Sequence, residues 1–502
     1  MQTQELKPAD EAHTTSLIAL RKNRARSVRQ VVLSSLQTVT PARLGLLLIA
    51  NLVLIAMFCF AAVTTIQRHE HAVRTVGVDA APSVIAAFEI KSGVAAMDAD
   101  LVSQLLHGPE DKEARDMQLD FDKWRRKVCQ QLVVAAKNIT YGKAEQTPIE
   151  NIQIALGTYE MQAQAARDVH EEGDKGDDVR AYAAAYSTLQ SELLANADKL
   201  EKADGDVLEL TYDREKSATN LSRGFVLVMG MVVIAMLAYT QLYLMARFHR
   251  RLCPPILFAM LGVMICGAHL HSSLAGSSLA LKVAKEDAYD SVLALLNARS
   301  SAFKADAAAN RMLFDRDNAA AHQKTFAENV AQVASFDGQH NFKETIERAE
   351  KELKHGDRVN LPGFDGALAK ELSNVRFPGE GNAALEALKQ FSSYAAVQDQ
   401  VKERAGAGAF ADAIHLCLSY DPEGAKFPLT KFDVALLNTL HINQEAMEKK
   451  VSEAFNDLDG LVMLTEVASL LAVMCVYLGI LPRIEEYFHC EPRSVHESSR
   501  AD

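Results

Sequence analysis

The apolar residues of this 502-residue chain are concentrated in four long blocks, and strongly charged segments separate the blocks. The first block, residues 44–66, reads LGLLLIANLVLIAMFCFAAVTTI and contains no charged residue. A helix of this length rises about 34 Å at ~1.5 Å per residue, which is enough to cross the hydrocarbon core of a bilayer. The other three blocks are residues 225–246, 256–274 and 461–481. The pattern therefore predicts an integral membrane protein with four transmembrane helices.

The basic residues that flank these blocks predict how the chain crosses the membrane. Lys and Arg in short segments stay on the cytoplasmic side, and they flank the spans in the leader (1–43), the connection (247–255) and the tail (482–502). We therefore expect a multi-pass protein of the inner (plasma) membrane with both termini in the cytoplasm. Residues 67–222 and 282–460 then lie outside, and they carry the acidic excess behind the net charge of −12. This balance indicates no nucleic-acid surface.

The leader contains a basic amphipathic stretch, LIALRKNRARSVRQVVLSSL at residues 17–36. A helix of this kind lies on anionic lipid or docks a partner protein, and the sequence leaves both alternatives open. A cleaved signal peptide competes with the first span, but a leader of some forty residues and so long an apolar run argue against cleavage.

The second half of the chain matches the first at a shift of 208 residues, which indicates an internal duplication. The first span falls on the third, and the register continues beyond the membrane without a gap. The matched positions are Asp79 and Asp287, Ala80 and Ala288, Ser83 and Ser291, Val84 and Val292, Lys91 and Arg299, Ser92 and Ser300, Asp98 and Asp306, and Leu105 and Leu313. Each half is therefore predicted to contain one entering helix, one exported domain and one returning helix.

Within the exported domains, the apolar residues recur mostly at steps of three and four, which is the spacing of helices. Breaks at 108–109, 142–148 and 173–177 divide the first domain into about four helices. The second repeats this plan, with a longer interruption at 355–381. We predict an all-α membrane protein with two tandem extracytoplasmic four-helix bundles. A displacement of one bundle helix could then cross the bilayer, because the outer helices of a bundle run almost unbroken into the spans.

Three strings carry a resemblance to known proteins: PARLGLLL at residues 41–48 after the basic leader, MDADLVSQLL at 97–106 and KADAAANRMLFD at 304–315. With this layout, the chain resembles the four-helix-bundle sensor modules of bacterial chemoreceptors and sensor kinases. More closely, it resembles duplicated four-pass membrane proteins, found in actinobacteria among others, that relay amino-acid availability from an exported solute-binding lipoprotein to a cytoplasmic protein kinase.

The resemblance implies two protein partners, an extracytoplasmic solute-binding protein and a cytoplasmic kinase or regulator. Only about 20 residues follow the last span, so the output modules of chemoreceptors and kinases are lacking, and we expect the signal to pass to a separate partner. Membrane lipid and a second copy of the chain, in a homo-oligomer, complete the expected contacts.

Two groups of charged residues are candidate ligand-binding sites. Asp98 and Asp306 occupy matched positions among apolar helix residues, and Arg311 lies near the second of them. A buried charge is costly unless it is hydrogen-bonded or wet, so these residues form either a polar layer that binds ligand or sets helix register, or a solvated outer face. Arg125 and Arg126, beside the single Trp of the chain, could bind a carboxylate through two parallel hydrogen bonds or could pair with nearby surface acids.

The sequence contains no Walker loop, no HExxH, CxxC or GxSxG motif and no dinucleotide fingerprint, so we expect no enzymatic activity. His269 and His271 point to different faces of one helix and make a weak metal site. We therefore expect no cofactor and no metal. Each exported domain holds one cysteine, Cys129 or Cys417, which excludes a disulfide within either domain.

Three function classes fit these observations. The first is a transmembrane sensor or signal-relay protein, which the exported domains joined to spans favour. The second is a structural or accessory subunit of a membrane complex, which would use the exported domains only for docking. The third, a transporter, is disfavoured because the spans contain few polar residues to line a path.

Overall fold

The computed structural model describes residues 40–108, 111–173, 176–248, 252–355 and 359–488. The described chain is predominantly helical, which confirms the all-α prediction. Three predicted cytoplasmic segments lie wholly or partly outside the described residues. They are the leader up to residue 39, the connection at 249–251 and the tail from 489.

The helices of the first half of the chain are α1 (Thr40–Arg74), α2 (Ala81–Leu106), α3 (Lys112–Lys137), α4 (Lys143–Glu172), α5 (Asp177–Thr188) and α6 (Ala195–Phe248). Those of the second half are α7 (Pro254–Lys282), α8 (Asp290–Phe314), α9 (Ala319–Val333), α10 (Phe342–His355), α11 (Ala367–Ser373), α12 (Glu380–Gly406), α13 (Phe410–Leu418), α14 (Lys426–Leu458) and α15 (Leu461–Phe488).

Three π-helical segments interrupt these helices: π1 (Thr75–Ala80), π2 (Leu189–Leu194) and π3 (Val283–Tyr289). The first and third begin 208 residues apart, which is the shift of the predicted duplication. Single π-helical turns are rare and are frequent at functional sites, because they re-aim the side chains around an inserted residue.

Four helical stretches are long and apolar enough to cross a membrane, and each contains one of the four predicted apolar blocks. They are Ala42–Leu106, Asp177–Arg247, Pro254–Phe314 and Lys426–Glu485. Their length and composition indicate a membrane protein, as predicted from the sequence.

The observed helix ends follow the predicted breaks closely. Helix α2 ends at Leu106, α4 begins after Gly142, and Gly173 in a left-handed conformation ends α4. Pro148 lies inside α4 and does not break it. The predicted interruption at 355–381 contains α11 and the strand β2 (Phe364–Asp365). This strand pairs antiparallel with β1 (Ser335–Phe336), which lies before the interruption, in a two-stranded ladder that the sequence did not predict.

The described residues form two compact units. The span unit comprises residues up to 67, 220–274 and from 459 onward, and the large unit comprises 68–219 and 275–458. Both segments that the sequence predicts as separate bundles thus belong to the large unit. Their association cannot be read from helical periodicity, because its contacts join residues about two hundred positions apart.

The span unit has an apolar outside and a sparse polar inside. Leu46, Ile49 and Phe60 of α1 are exposed, as lipid-facing side chains would be. Asn51 of the same helix is buried and donates hydrogen bonds to Leu47 O (2.8 Å) and to Thr240 Oγ1 of α6 (2.9 Å). Such a pairing satisfies a polar group that lies inside an apolar segment.

The core of the large unit lies around α2 and α8, which pack along each other. Small residues make this possible, because Ala95 and Ala96 of α2 let Phe303 of α8 approach closely. The larger apolar cluster adds side chains from α3, α4, α5, π2 and α6, among them Phe121, Ile152, Tyr159, Tyr182 and Leu193. The two matched helices therefore share one core.

Candidate functional site

The most unusual feature of the large unit is a set of charged side chains buried where α2 meets α8. Asp98 of α2 is 1 % exposed and so is Asp306 of α8. The set, called the charged cluster below, consists of Asp98, Tyr182, Asp306, Arg311, Tyr394 and Lys426. Burying a charge without a partner is strongly unfavourable, so every ion in this cluster depends on its neighbours.

Asp98 is held by residues from both halves of the chain. The hydroxyl of Tyr182 donates to Asp98 Oδ1 at 2.8 Å, and Arg311 Nη1 donates to Asp98 Oδ2. The Arg311 guanidinium also lies 4.3 Å from the ring centroid of Tyr186, which is a cation–π contact. The Asp98–Arg311 ion pair therefore joins the first half of the chain to the second.

The electrostatics of this pair show that burial and pairing oppose each other. Burial raises the pKa of Asp98, and the charge of Arg311 and the hydrogen bond from Tyr182 only partly offset that rise. Burial also disfavours the Arg311 cation, but Tyr182 and Asp98 together raise the pKa of Arg311. Arginine does not deprotonate in proteins. Asp98 is therefore the member of the pair whose charge can be lost by protonation.

Asp306 repeats this arrangement with a different cation. Lys426 Nζ of α14 donates to Asp306 Oδ2 at 2.5 Å, and the Tyr394 hydroxyl lies 3.5 Å from Oδ1. Burial disfavours the Lys426 cation, yet the carboxylate of Asp306 raises its pKa. Each matched aspartate thus has a tyrosine and a cation, but the cation of Asp306 comes from its own half.

Neutral polar groups make further hydrogen bonds across the α2–α8 interface. Asn310 Nδ2 donates to Ser103 Oγ at 3.0 Å and to the carbonyl of Ala99 at 3.3 Å, across the α2–α8 interface. Asp100 is also buried there, and burial raises its pKa well above the usual value, although Lys426 opposes the rise. Burial therefore disfavours a second negative charge at this interface.

A further ion cluster lies along the same two helices. Arg299 of α8 donates to Asp433 Oδ1 at 2.6 Å and to Glu89 Oε2 of α2 at 2.9 Å. Its guanidinium lies 5.1 Å from the Trp124 ring centroid, and Lys127 also pairs with Glu89 at 2.7 Å. Arg299 therefore makes a second charged link between the halves.

The five residues chosen from the sequence separate into two groups. Asp98, Asp306 and Arg311 all belong to the charged cluster. Arg125 and Arg126 lie on α3 outside it, where Arg126 is exposed and Arg125 Nε is 3.6 Å from Asp122 Oδ1. Arg125 Nη1 is also 3.6 Å from Glu160 Oε2. The structure thus gives Arg125 the surface ion pairs that were the alternative reading of this segment.

Sequence reasoning missed several members of the cluster. Lys426 opens α14 after a turn, and the string FPLTKF gives no sign that the lysine before it is buried. Tyr182 and Tyr394 lie in Ala-rich and Ser-rich helical strings where an aromatic residue ordinarily indicates core packing. The matched aspartates were the only usable signal in the sequence. An acid at the same position of both halves, among apolar helix residues, indicates that each acid needs a polar or charged partner.

A cleft of about 940 Å³ lies at the C-terminal ends of α2 and α8, beyond Asp98 and Asp306 along these helices. Leu105 and Leu313, which are matched in the predicted duplication, both line it, together with Phe314. The Phe314 ring meets the Tyr182 ring edge-on, with 5.7 Å between centroids. The cleft is thus in contact with the charged cluster through two aromatic side chains.

Polar groups of the cleft come from the helix ends and turns around it. His170 Nε2 lies 2.9 Å from the carbonyl of His107, and Asp178 Oδ1 accepts from the amide of Val179 at 2.7 Å. The Arg316 guanidinium stacks on Phe410, 3.9 Å from the ring centroid. Both halves of the chain therefore contribute to the rim of the cleft.

A second cleft, of about 850 Å³, lies between α2, π3, α8 and α11. Lys91, Asn297, Lys370 and Asn374 line it, together with acids that include Glu201. Lys91 is already paired with Asp198 at 2.5 Å and with Glu201. Within the ranges that the structure describes, no group of three or more His, Cys, Asp or Glu side chains is arranged to hold a metal ion.

Comparisons with known proteins give one finding. A family model described as the Actinobacterial sensor domain matches residues 72–213, which form the first half of the large unit. No curated protein and no solved structure matches the chain. The family match and the helical architecture together fit a bacterial sensor protein and suggest a sensing or signalling role.

Proposed function

We propose that the chain is a transmembrane sensor that receives an extracytoplasmic signal in the large unit and relays it to a separate cytoplasmic partner. The observation that carries the proposal is the charged cluster at the α2–α8 interface, with the sensor-family match to the segment that contains Asp98 and Tyr182. A protein that only bound a ligand through its surface loops would have no need for a buried Asp98–Arg311 ion pair between two matched helices.

A buried ion pair suits a two-state interface. Its geometry must be close to ideal, because a small displacement leaves two desolvated charges unpaired. Helices α2 and α8 are therefore expected to occupy discrete arrangements instead of sliding continuously, which is what a switch requires. A signal that reaches the cleft at the ends of α2 and α8 can act on Tyr182 through Phe314.

The helical continuity of the chain supports transmission. Residues 42–106 form one helical stretch that contains the first span, π1 and α2, and residues 254–314 form another that contains the third span, π3 and α8. A rotation or shift of α2 or α8 thus moves the same helix that carries an apolar span.

The resemblance stated above supplies the proposed partners. An exported solute-binding protein would bring the signal, and a cytoplasmic kinase or regulator would receive it through the leader and tail. The accessory-subunit alternative shares the membrane location but gives the charged cluster no task beyond stability, and this difference can be tested.

The relay can be tested without a known ligand, by changing the charged cluster and measuring the leader. Asp98→Asn keeps the side-chain shape but removes the negative charge that pairs with Arg311. We expect this variant to change the rate at which trypsin cuts the leader, in inverted membrane vesicles, by at least about threefold. Arg125→Gln, which affects only the partly exposed pairs with Asp122 and Glu160, is the matched control and is expected to match the wild type.

Two results decide between relay and accessory subunit. Unchanged leader cleavage in Asp98→Asn, in a protein that purifies in wild-type amounts and at the wild-type elution volume, contradicts the relay. Altered cleavage in both Asp98→Asn and Arg125→Gln also contradicts it, because the effect would then not depend on the α2–α8 interface.

The proposed topology makes its own prediction. Reporter fusions at Gln2, Arg250 and Asp502 are expected to be cytoplasmic, whereas fusions near Asp177 and Gly366 are expected to be exported, since Lys and Arg cluster near the first three. Alkaline phosphatase and fluorescent-protein reporters measure the two sides independently. An exported signal at Arg250 would exclude the arrangement with four spans and both termini inside.

A further inference from the structure

A second buried polar network lies close to the spans in sequence. His69 of α1 is buried, with its Nδ1 2.6 Å from Glu215 Oε1 of α6 and its Nε2 3.1 Å from Ser277 Oγ of α7. Ser277 Oγ donates in turn to the carbonyl of Ala454 in α14 at 2.8 Å. These four residues, called the junction layer below, connect four different helices of the large unit in one chain of hydrogen bonds.

The hydrogen bonds fix where the protons are. A serine hydroxyl has one proton, and Ser277 gives it to Ala454, whose carbonyl can only accept. The Nε2 of His69 must therefore be the donor to Ser277. At Nδ1 the ring faces the carboxyl group of Glu215 at 2.6 Å, so one proton has to lie between these two atoms. Without it, two acceptors would face each other in a buried site.

The same residue types form the catalytic triads of hydrolases, but this geometry excludes nucleophilic catalysis. Ser277 is 0 % exposed, so no substrate carbonyl can reach its oxygen. Its proton is also engaged with a backbone carbonyl and not with the imidazole, which is the reverse of what a general base needs. The layer therefore has a structural or transmitting task.

The location of the layer distinguishes it from an ordinary buried network. His69, Glu215, Ser277 and Ala454 each lie within about three helical turns of one of the four apolar blocks. The first three share a continuous helical stretch with their block, whereas Ala454 lies in α14, which a two-residue turn at 459–460 separates from α15. His69 and Ser277 are 208 residues apart, so they occupy matched positions of the two halves. One chain of hydrogen bonds thus connects α1, α6, α7 and α14, and with them both halves of the protein.

Close packing beside the layer leaves little freedom for independent motion. A Cβ added at Gly77 of π1 would lie 2.4 Å from Cγ1 of Val451 on α14. One added at Gly276, next to Ser277, would lie 2.3 Å from Asp457 Oδ2 on the same helix. The glycines therefore allow α14 to approach both π1 and α7 at the level of the junction layer.

We infer that the junction layer is a clamp that makes the span-bearing helices α1, α6 and α7 move as a set with α14, which a two-residue turn joins to the fourth span. His69 is its central positioning residue, since its two ring nitrogens hold α6 and α7 at once. A displacement that begins in either half then reaches all four spans together. This inference deepens the proposed relay, but its principal test measures cooperativity in the chain itself and needs neither ligand nor partner.

The test is hydrogen exchange, followed by mass spectrometry, on the full chain in lipid nanodiscs. Ser277→Ala removes one hydroxyl and leaves no large cavity, whereas His69→Ala removes the centre of the layer. We expect either change to raise amide exchange around positions 69, 215, 277 and 454 together, by about tenfold. Peptides of α4 are expected to exchange as in the wild type.

A matched control is available on α14. His441 and Glu445 form an exposed His–carboxylate pair, with 3.2 Å between Nε2 and Oε1 and His441 side chain 70 % exposed. His441→Ala removes an imidazole from one of the same four helices without touching the layer. Exchange in this variant is expected to equal the wild type at all four positions.

The double variant and a conservative variant complete the test. If the layer acts as a unit, His69→Ala with Ser277→Ala raises exchange no further than His69→Ala alone, because the second change removes an interaction already lost. Glu215→Gln can donate its side-chain amide N–H to Nδ1 of His69 and is expected to remain near the wild type.

Exchange that rises only in the substituted helix, or additive effects in the double variant, would overturn the clamp. The outcome is separable from that of the relay. If Ser277→Ala abolishes the effect of Asp98→Asn on leader cleavage while α2 and α8 exchange normally, both proposals hold. If exchange is cooperative but Asp98→Asn never alters the leader, the clamp stands and the relay fails.

Discussion

Replacing Arg311 with methionine is expected to lower the free energy of unfolding of the large unit by about 3–5 kcal/mol. The substitution leaves Asp98 buried with only the Tyr182 hydroxyl as a partner, because the guanidinium that it faces is gone. Denaturant titration followed by fluorescence measures the loss. The chain has a single Trp, Trp124, and its ring packs on Phe303 of α8 with 5.2 Å between centroids, so the signal reports on this unit.

A control variant and a variant expected to restore stability accompany this test. Arg125→Met removes a pair in which the arginine is 41 % exposed, and it is expected to cost about 0–1 kcal/mol. Asp98→Leu combined with Arg311→Met replaces the whole pair by apolar side chains and should recover most of the loss. A cost for Arg311→Met no greater than that for Arg125→Met would contradict the assignment of Asp98 as a buried charge.

The second large effect concerns two pairs of buried acids, one in each half. Asp204 of α6 lies against Glu145, and Glu371 of α11 lies against Glu380. Glu145 Oε2 accepts from the amide of Thr140 at 2.8 Å, and Glu380 Oε2 accepts from that of Phe377 at 2.8 Å. In each pair, one acid accepts hydrogen bonds from amides at the start of a helix and the other acid lies against it.

The pKa values of these groups predict an alkaline loss of stability. Burial, and then Glu145, raises the pKa of Asp204 to about 9, and burial, and then Glu380, raises that of Glu371 to about 8. The folded chain therefore keeps two protons that the unfolded chain loses above its ordinary values of 3.8 and 4.5. Stability is greatest below those values and falls as the pH rises, by about 1.4 kcal/mol per pH unit for each proton, until the folded groups ionise.

Thermal unfolding at pH 6, 7, 8 and 9 measures this slope. Asp204→Asn and Glu371→Gln keep the shape of the protonated acids and cannot ionise, so each is expected to reduce the slope by the contribution of one proton. Asp120→Asn, an acid of the surface pair with Lys123, is the control and should leave the slope unchanged. An unaltered slope in Asp204→Asn would show that this acid is not protonated in the folded chain.

Much of the helical framework could be predicted because its causes are local. Charge-free apolar blocks and glycine breaks act within a few residues of themselves, and so 44–66 lies in α1 and Gly173 ends α4. The π-helical segments were not predicted, since each displaces the apolar positions within only six or seven residues, which is too short to distinguish from irregular steps of three and four. Nor was the β1–β2 ladder, whose strands have two residues each.

The partners of the charged cluster could not be predicted, for a different reason. Asp98 and Arg311 are 213 residues apart, and a sequence contains no measure of which distant cation will meet a given acid. The matched aspartates correctly indicated a special environment. Arg125 and Arg126 were chosen by proximity to the single Trp, yet the cations that lie over the Trp124 ring are Lys127 and, from the other half, Arg299.

The sequence position of each cation affects the order in which the two halves of the chain can fold during synthesis. Asp306 meets Lys426 within the second half, whereas the arginine that pairs with Asp98 is encoded more than two hundred codons later. On the ribosome, the first half therefore emerges with an acid whose counter-ion has not yet been synthesised. The core of the first half cannot close around a charged Asp98 until Arg311 has been synthesised. The first half therefore completes its folding only after much of the second half has emerged.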